Sequence, residues 1–90
     1  MSATIELSPV LASFTDNQLS VPVTGQTIGE CLDELVKKLP NLKKLLLDKT
    51  GRLMHTYSIY INGESIYPLD MKRPVADGDK INIVFIVTGG

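Results

Sequence analysis

The chain ends Val87-Thr88-Gly89-Gly90, and the group with the clearest chemical use is the carboxylate expected on Gly90. A C-terminal carboxyl has a pKa of about 3.3–3.7, so it is ionised near neutrality. It can attack the α-phosphate of ATP and become an acyl-adenylate, a good acyl donor. A sulfur nucleophile then converts that adenylate to a thioester, a persulfide adduct or a thiocarboxylate. An enzyme performing these steps must admit the chain end through a narrow slot. Gly89 and Gly90 lack a Cβ, fit such a slot and adopt φ > 0 freely. Four extended residues reach roughly 13–14 Å, enough to cross an active-site wall. At a glycine frequency of ~7%, a terminal pair arises by chance about one time in 200.

Other reactive side chains fit ordinary roles. Cys31 falls on an apolar helical stripe and reads as a core thiol, not a sulfur handle. His55 has no partner set for a triad or a metal and reads as a solvated loop residue. Lys43, Lys44, Lys49 and Arg52 form a mildly basic stretch. Its default reading is a solvated face, and its alternative is docking to an acidic partner. The carboxylates show no paired acid–base spacing, and neither a zinc pattern nor a phosphate-cradling glycine loop is present. The domain is therefore expected to be no enzyme and to hold no cofactor. ATP would be used by a partner.

Composition bounds the rest. Ninety residues make one domain, spanning 1–90. A chain of this size buries roughly 60–70% of its unfolded surface and can build one modest core. Net charge is −1, from nine basic and ten acidic residues, which argues against a nucleic-acid binder. A single cysteine cannot form an internal disulfide, so a reducing, cytoplasmic setting is expected. The first residues lack the pattern of a signal peptide. No run approaches the ~20 apolar residues of a membrane span.

The elements that must position the tail read as follows. Ile5 and Leu7 alternate with Thr4 and Glu6, a half-buried strand interrupted by Pro9. Thr15-Asp16-Asn17 marks a turn. Leu19, Val21 and Val23 predict a second strand, placed at a sheet edge by Pro22. Thr27 and Glu30 have capping-box spacing, in which the carboxylate reaches back to a backbone N–H. Ile28, Cys31, Leu32, Leu35, Val36 and Leu39 then recur at helical spacing until Pro40. Asp33–Lys37 and Glu34–Lys38 are i,i+4 pairs on the polar face. A short second helix is predicted over 41–48, with Leu42, Leu45 and Leu46 inward. Residues 49–52 read as a loop, 57–61 as a strand, and Asn62-Gly63 as a hairpin turn. A short strand is predicted over 65–67 and irregular chain over 68–75. After the Asp77-Gly78-Asp79 turn, residues 80–87 are almost wholly apolar and predict a central strand.

Alternation then assigns faces. Ile81, Ile83 and Phe85 point one way, and Asn82, Val84 and Ile86 the other. One long helix covers one sheet face, and the face bearing Asn82 is expected to be the open one. Tyr57, Ile59 and Ile61 would face the helix, while Tyr60 shares the open face. Tyr60, Val84 and Ile86 then form either a partner-binding patch or a surface covered by loop 68–75.

Three segments together resemble the ubiquitin-like sulfur carrier proteins. Asp77-Gly78-Asp79-Lys80-Ile81-Asn82-Ile83 with Val87-Thr88-Gly89-Gly90 is similar to their ending. Thr27-Ile28-Gly29-Glu30-Cys31-Leu32 resembles the start of their helix, and Ile59-Tyr60-Ile61-Asn62-Gly63 their third strand and turn. That family includes the small subunit of molybdopterin synthase, the thiamin carrier and the cysteine-forming carriers. The resemblance implies an α+β, ubiquitin-like β-grasp fold. Its mixed sheet of four to five strands packs on one main helix, with a short second helix and a flexible C-terminal tail 87–90. It also implies adenylation of Gly90 by an E1-like enzyme and conversion to a thiocarboxylate, with Thr88 and Gly89 threading the partner's active site. Implied partners are the activating enzyme, a sulfur donor (a sulfurtransferase or sulfide) and an acceptor synthase, with neither nucleic acid nor membrane. Val84 falls where the family carries an apolar or aromatic contact, and Thr88 where alanine is frequent. The segment 47–55 is most similar to a loop of the cysteine-forming carriers, with the molybdopterin type next. Two other functions stay open: a protein modifier conjugated through Gly90, and a non-covalent β-grasp interaction domain.

Overall fold

Five strands, β1 (Ala3–Leu7), β2 (Ser20–Val23), β3 (Tyr57–Ile61), β4 (Glu64–Ser65) and β5 (Lys80–Phe85), form a sheet of order β2-β1-β5-β3-β4 with β5 in the middle. The computed structural model describes residues 2–86. Strand β1, Ala3–Leu7, runs parallel to β5 with Ile5 opposite Ile81 and Leu7 opposite Ile83. Strand β3, Tyr57–Ile61, runs antiparallel on the other side with Ile59 opposite Ile83. Strand β2, Ser20–Val23, pairs antiparallel with β1 and forms the edge that Pro22 predicts. A parallel pair needs a crossover, and helix α1, Ile28–Lys38, supplies it between β2 and β3. The arrangement is the ubiquitin-like β-grasp.

The core sits between α1 and one sheet face. Ile28, Cys31, Leu32 and Leu35 of the helix are buried, as are Ile5, Val21, Val23, Ile59, Ile61, Ile81 and Ile83 of the sheet. Thr27 caps the helix by accepting from the Glu30 N–H at 3.2 Å. The Glu30 carboxylate reaches back to the Gln26 N–H at 2.9 Å, the residue preceding the cap. Of the two predicted ion pairs on the helix, Glu34–Lys38 forms at 3.6 Å. Among the described residues Asp33 and Lys37 form none. Glu34 has further work, accepting from the Thr24 N–H and hydroxyl at the end of β2.

Several expectations need correction. The second helix over 41–48 is shorter: a three-ten turn, Pro40–Leu42, leads into the single turn α2, Lys43–Leu46. Leu47 leaves it in extended conformation and bridges to Leu53. Leu42 and Leu46 are buried, and Leu45 is half-buried. The short strand predicted over 65–67 is β4, Glu64–Ser65, because the Asn62-Gly63 turn sets its register against Tyr60 and Ile61. Both turn residues have positive φ, the backbone that a tight two-residue hairpin requires. A three-ten helix over Pro9–Phe14 follows β1, with Leu11 buried. The last strand ends at Phe85, and Val87 lies outside the described residues.

Candidate functional site

The site is built around the end of β5. Lys80 begins the strand where two turns are locked together. The Asp79 carboxylate accepts from the Ala76 N–H at 2.8 Å and from Asn62 Nδ2 at 2.9 Å. Asn62 Oδ1 accepts in turn from the Lys80 N–H at 3.0 Å. The backbone bond from Ala76, then the Asn62 amide, hold the Asp79 carboxyl below its ordinary value. At the other end the Ile86 N–H donates to the Thr56 carbonyl at 2.6 Å, continuing the ladder one residue past the strand. On the helix side Phe85 meets Tyr57 edge-to-face, with ring centroids 5.5 Å apart. The strand is thereby fixed at its start and at its exit.

The open face is where the alternation places it. Val84 stands opposite Ser58, and Asn82 stands between Glu6 and Tyr60. Tyr60 is thus a diagonal neighbour of Val84, a spacing of roughly 7–8 Å between strands and within reach of an aromatic side chain. Val84 is 37% exposed and Ile86 38%, while Tyr60 is half-buried. Both apolar residues are therefore accessible beside the chain end. Lys80 and Glu6 make a 3.8 Å ion pair at the far end of the same face.

Loop 68–75 does not cover this patch. It is bound to the helix N-terminus instead, where Met71 and Arg73 carbonyls accept from the Gly29 and Ile28 N–H groups at 2.8 and 3.0 Å. The Val75 N–H donates to the Gln26 carbonyl at 2.8 Å. Helices leave their first amides without intrahelical partners, and the loop supplies acceptors for two of them. A Cβ on Gly29 would stand 3.1 Å from the Met71 carbonyl oxygen, so the glycine lets the loop approach. Sequence periodicity reveals neither this docking nor the flank of the patch formed by Ser8 and Pro9, which share a shallow groove with Val84. Pro9 was legible as the interruption of the first strand, but its position beside Val84 follows from the parallel β1–β5 register.

Thr88, Gly89, Gly90 and the rest of the tail 87–90 lie outside the described residues. Cys31 is buried 1% exposed in the core. Burial, then the Glu34 and Glu30 carboxylates, pushes its thiol pKa up. That is the reverse of what a reactive thiol needs. His55 is exposed in the loop before β3. Among the described residues no three of His, Cys, Asp and Glu gather as a metal site. Among the described residues no helix is long and apolar enough to cross a membrane.

Comparison with known proteins adds to this geometry. The ThiS family model matches residues 7–90. The sulfur carrier protein CysO of Mycobacterium tuberculosis is 29% identical over 93 aligned positions that take in 100% of both chains. Among solved structures, SAMP1 of Haloferax volcanii superimposes with a TM-score of 0.84 at 27% identity, covering 100% of each chain. A chain of the Amycolatopsis orientalis BexX/CysO complex matches with a TM-score of 0.83 at 26% identity, over 98% of this chain and 99% of that one.

Proposed function

Because this chain belongs to the ThiS family, we propose that it is a sulfur carrier, a protein cosubstrate and not a catalyst. The observation that carries this reading is the full-length match to a sulfur carrier protein. In it the Gly90 carboxylate attacks the α-phosphate of ATP in the site of an E1-like enzyme, and pyrophosphate leaves. Hydrosulfide delivered by a donor then attacks the acyl carbon, forms the C–S bond, expels AMP and loses its proton, so that Gly90 ends as a thiocarboxylate. Gly89 and Thr88 thread the enzyme, and Tyr60, Val84 and Ile86 meet it on the open face. The cysteine-forming type is favoured for the acceptor, because the relatives of this chain include CysO proteins. The cytoplasm is the proposed compartment, since a lone buried thiol requires no oxidising environment.

The test is intact-protein mass spectrometry after incubation with ATP, the activating enzyme and a sulfur donor. One oxygen replaced by sulfur at the C-terminus supports the proposal, and its consistent absence sinks it. Deletion of Gly90 is expected to abolish ATP–pyrophosphate exchange with the activating enzyme.

A second reading is a protein modifier joined through Gly90 to lysines. The likeness to SAMP1, small archaeal modifier protein 1, favours it. Both readings share adenylation. Covalent adducts of this chain on other proteins, absent from the Gly90 deletion, would distinguish modification from sulfur transfer alone.

A further inference from the structure

Six of the nine basic residues fall between positions 37 and 52, where Asp48 is the single carboxylate. That carboxylate is committed to its own turn. Asp48 Oδ1 accepts from the Thr50 N–H at 2.8 Å, the Thr50 hydroxyl at 2.6 Å and the Arg52 N–H at 3.1 Å. With a net charge of −1 for the chain, the remainder of the molecule is correspondingly acidic. Lys43, Lys44 and Lys49 are exposed, and among the described residues none of them forms an ion pair. They rim an open groove that also takes in Leu47, Asp48 and Met54. Met54 lines the neighbouring depression too, together with Tyr57, Ser58 and Ile86. Met54 therefore borders both the lysine-rimmed groove and the depression that reaches Ile86.

We propose that this groove docks an acidic polypeptide segment with an apolar anchor, presented by a partner protein. The charge assigns the sign of the occupant, since three lysines against the single Asp48 carboxylate leave the concavity net positive, which favours carboxylates and repels a basic surface. Leu47 and Met54 assign the anchor, because a methionine-lined floor adapts to an inserted aliphatic side chain. A nucleic-acid strand fits less well, as the groove has no aromatic side chain on which a base can stack. The proposal does not depend on the sulfur chemistry.

The experiment titrates isotope-labelled full-length protein with a peptide of alternating leucine and glutamate, followed by amide chemical shifts. Shift changes centred on Lys43, Lys44, Leu47, Lys49 and Met54, weakening as salt is raised, support the proposal. The doubly charge-reversed K44E/K49E protein is expected to bind about tenfold or more weaker. Its circular dichroism should stay unchanged, because both lysines are exposed. Several results would overturn the proposal. They are shifts centred elsewhere, equal binding of a peptide with glutamine in place of glutamate, tighter binding of a single-stranded oligonucleotide, or self-association of the protein through the same residues.

Discussion

Val84 and Cys31 mark the two fates of a small apolar side chain in this molecule. Val84 is held outward on the central strand by a register that places its neighbours Ile83 and Phe85 on the other face. Val84→Asp is expected to weaken binding to the activating enzyme by about tenfold, since a buried unpaired charge is costly at an interface. Folding stability should move by no more than ~0.5 kcal/mol, as for other surface substitutions. Isothermal titration calorimetry and urea melts separate the two effects, and a loss of folding alone would remove the contact role. Cys31 is the opposite case. In native protein it should resist a disulfide exchange reagent, then react fully in urea, and Cys31→Ala should leave sulfur loading intact. Both residues were legible in the sequence, because helix and strand periodicities assign faces without tertiary information. Glu34 was not. Its pairing with Lys38 is local, but its bonds to Thr24 cross from helix to sheet, and no periodicity encodes that distance.

At the scale of elements, α1 and β5 carry the design. The Thr27 cap supports the helix whose apolar face forms one side of the core, and Thr27→Ala should cost about 1 kcal/mol. Leu35→Ala, at a fully buried position of the same helix, should cost about 2–5 kcal/mol in chemical unfolding. The turn that starts β5 is expected to weaken in acid. Asp79 is lowered chiefly by the Ala76 N–H, Glu34 by the Thr24 N–H and Asp48 by the Thr50 hydroxyl. A carboxyl lowered in the folded state contributes stability above its unfolded value of about 4, and that contribution is lost as pH falls through the folded value. Urea midpoints should therefore hold at mildly acidic pH and fall below about pH 4. Asp79→Asn should have a shallower acid limb, and an equally steep one would remove Asp79 from the account. Main elements were legible because capping, alternation and turn residues agree. The short ones shifted. The second helix gives way at Leu47, and β4 moved because Asn62-Gly63 dictates register more strongly than the propensity of Tyr67.

At the scale of the molecule, the sheet has an edge that could recruit a second chain. Strand β2 is guarded there in three ways. Pro22 has no N–H, its carbonyl accepts from Lys38 Nζ at 2.6 Å, and the Thr24 N–H is held by Glu34. Such devices are how proteins blunt edge pairing. The triple variant P22V/E34A/K38A is expected to form concentration-dependent dimers or larger assemblies in light scattering, and a persistent monomer would show the guard to be unnecessary. The β-grasp arrangement rested partly on resemblance, because alternation gives faces but not neighbours, and the sheet bears out its central last strand. The central position of β5 has a mechanical consequence. A partner that grips the chain beyond Ile86 and pulls along the strand acts across both flanking ladders, at right angles to the hydrogen bonds with β3 and obliquely to those with β1. The load is shared by all of them in shear and cannot unzip them one at a time. The tail is thus a handle on a stiff body, and tension on it moves the whole domain before it frays the end.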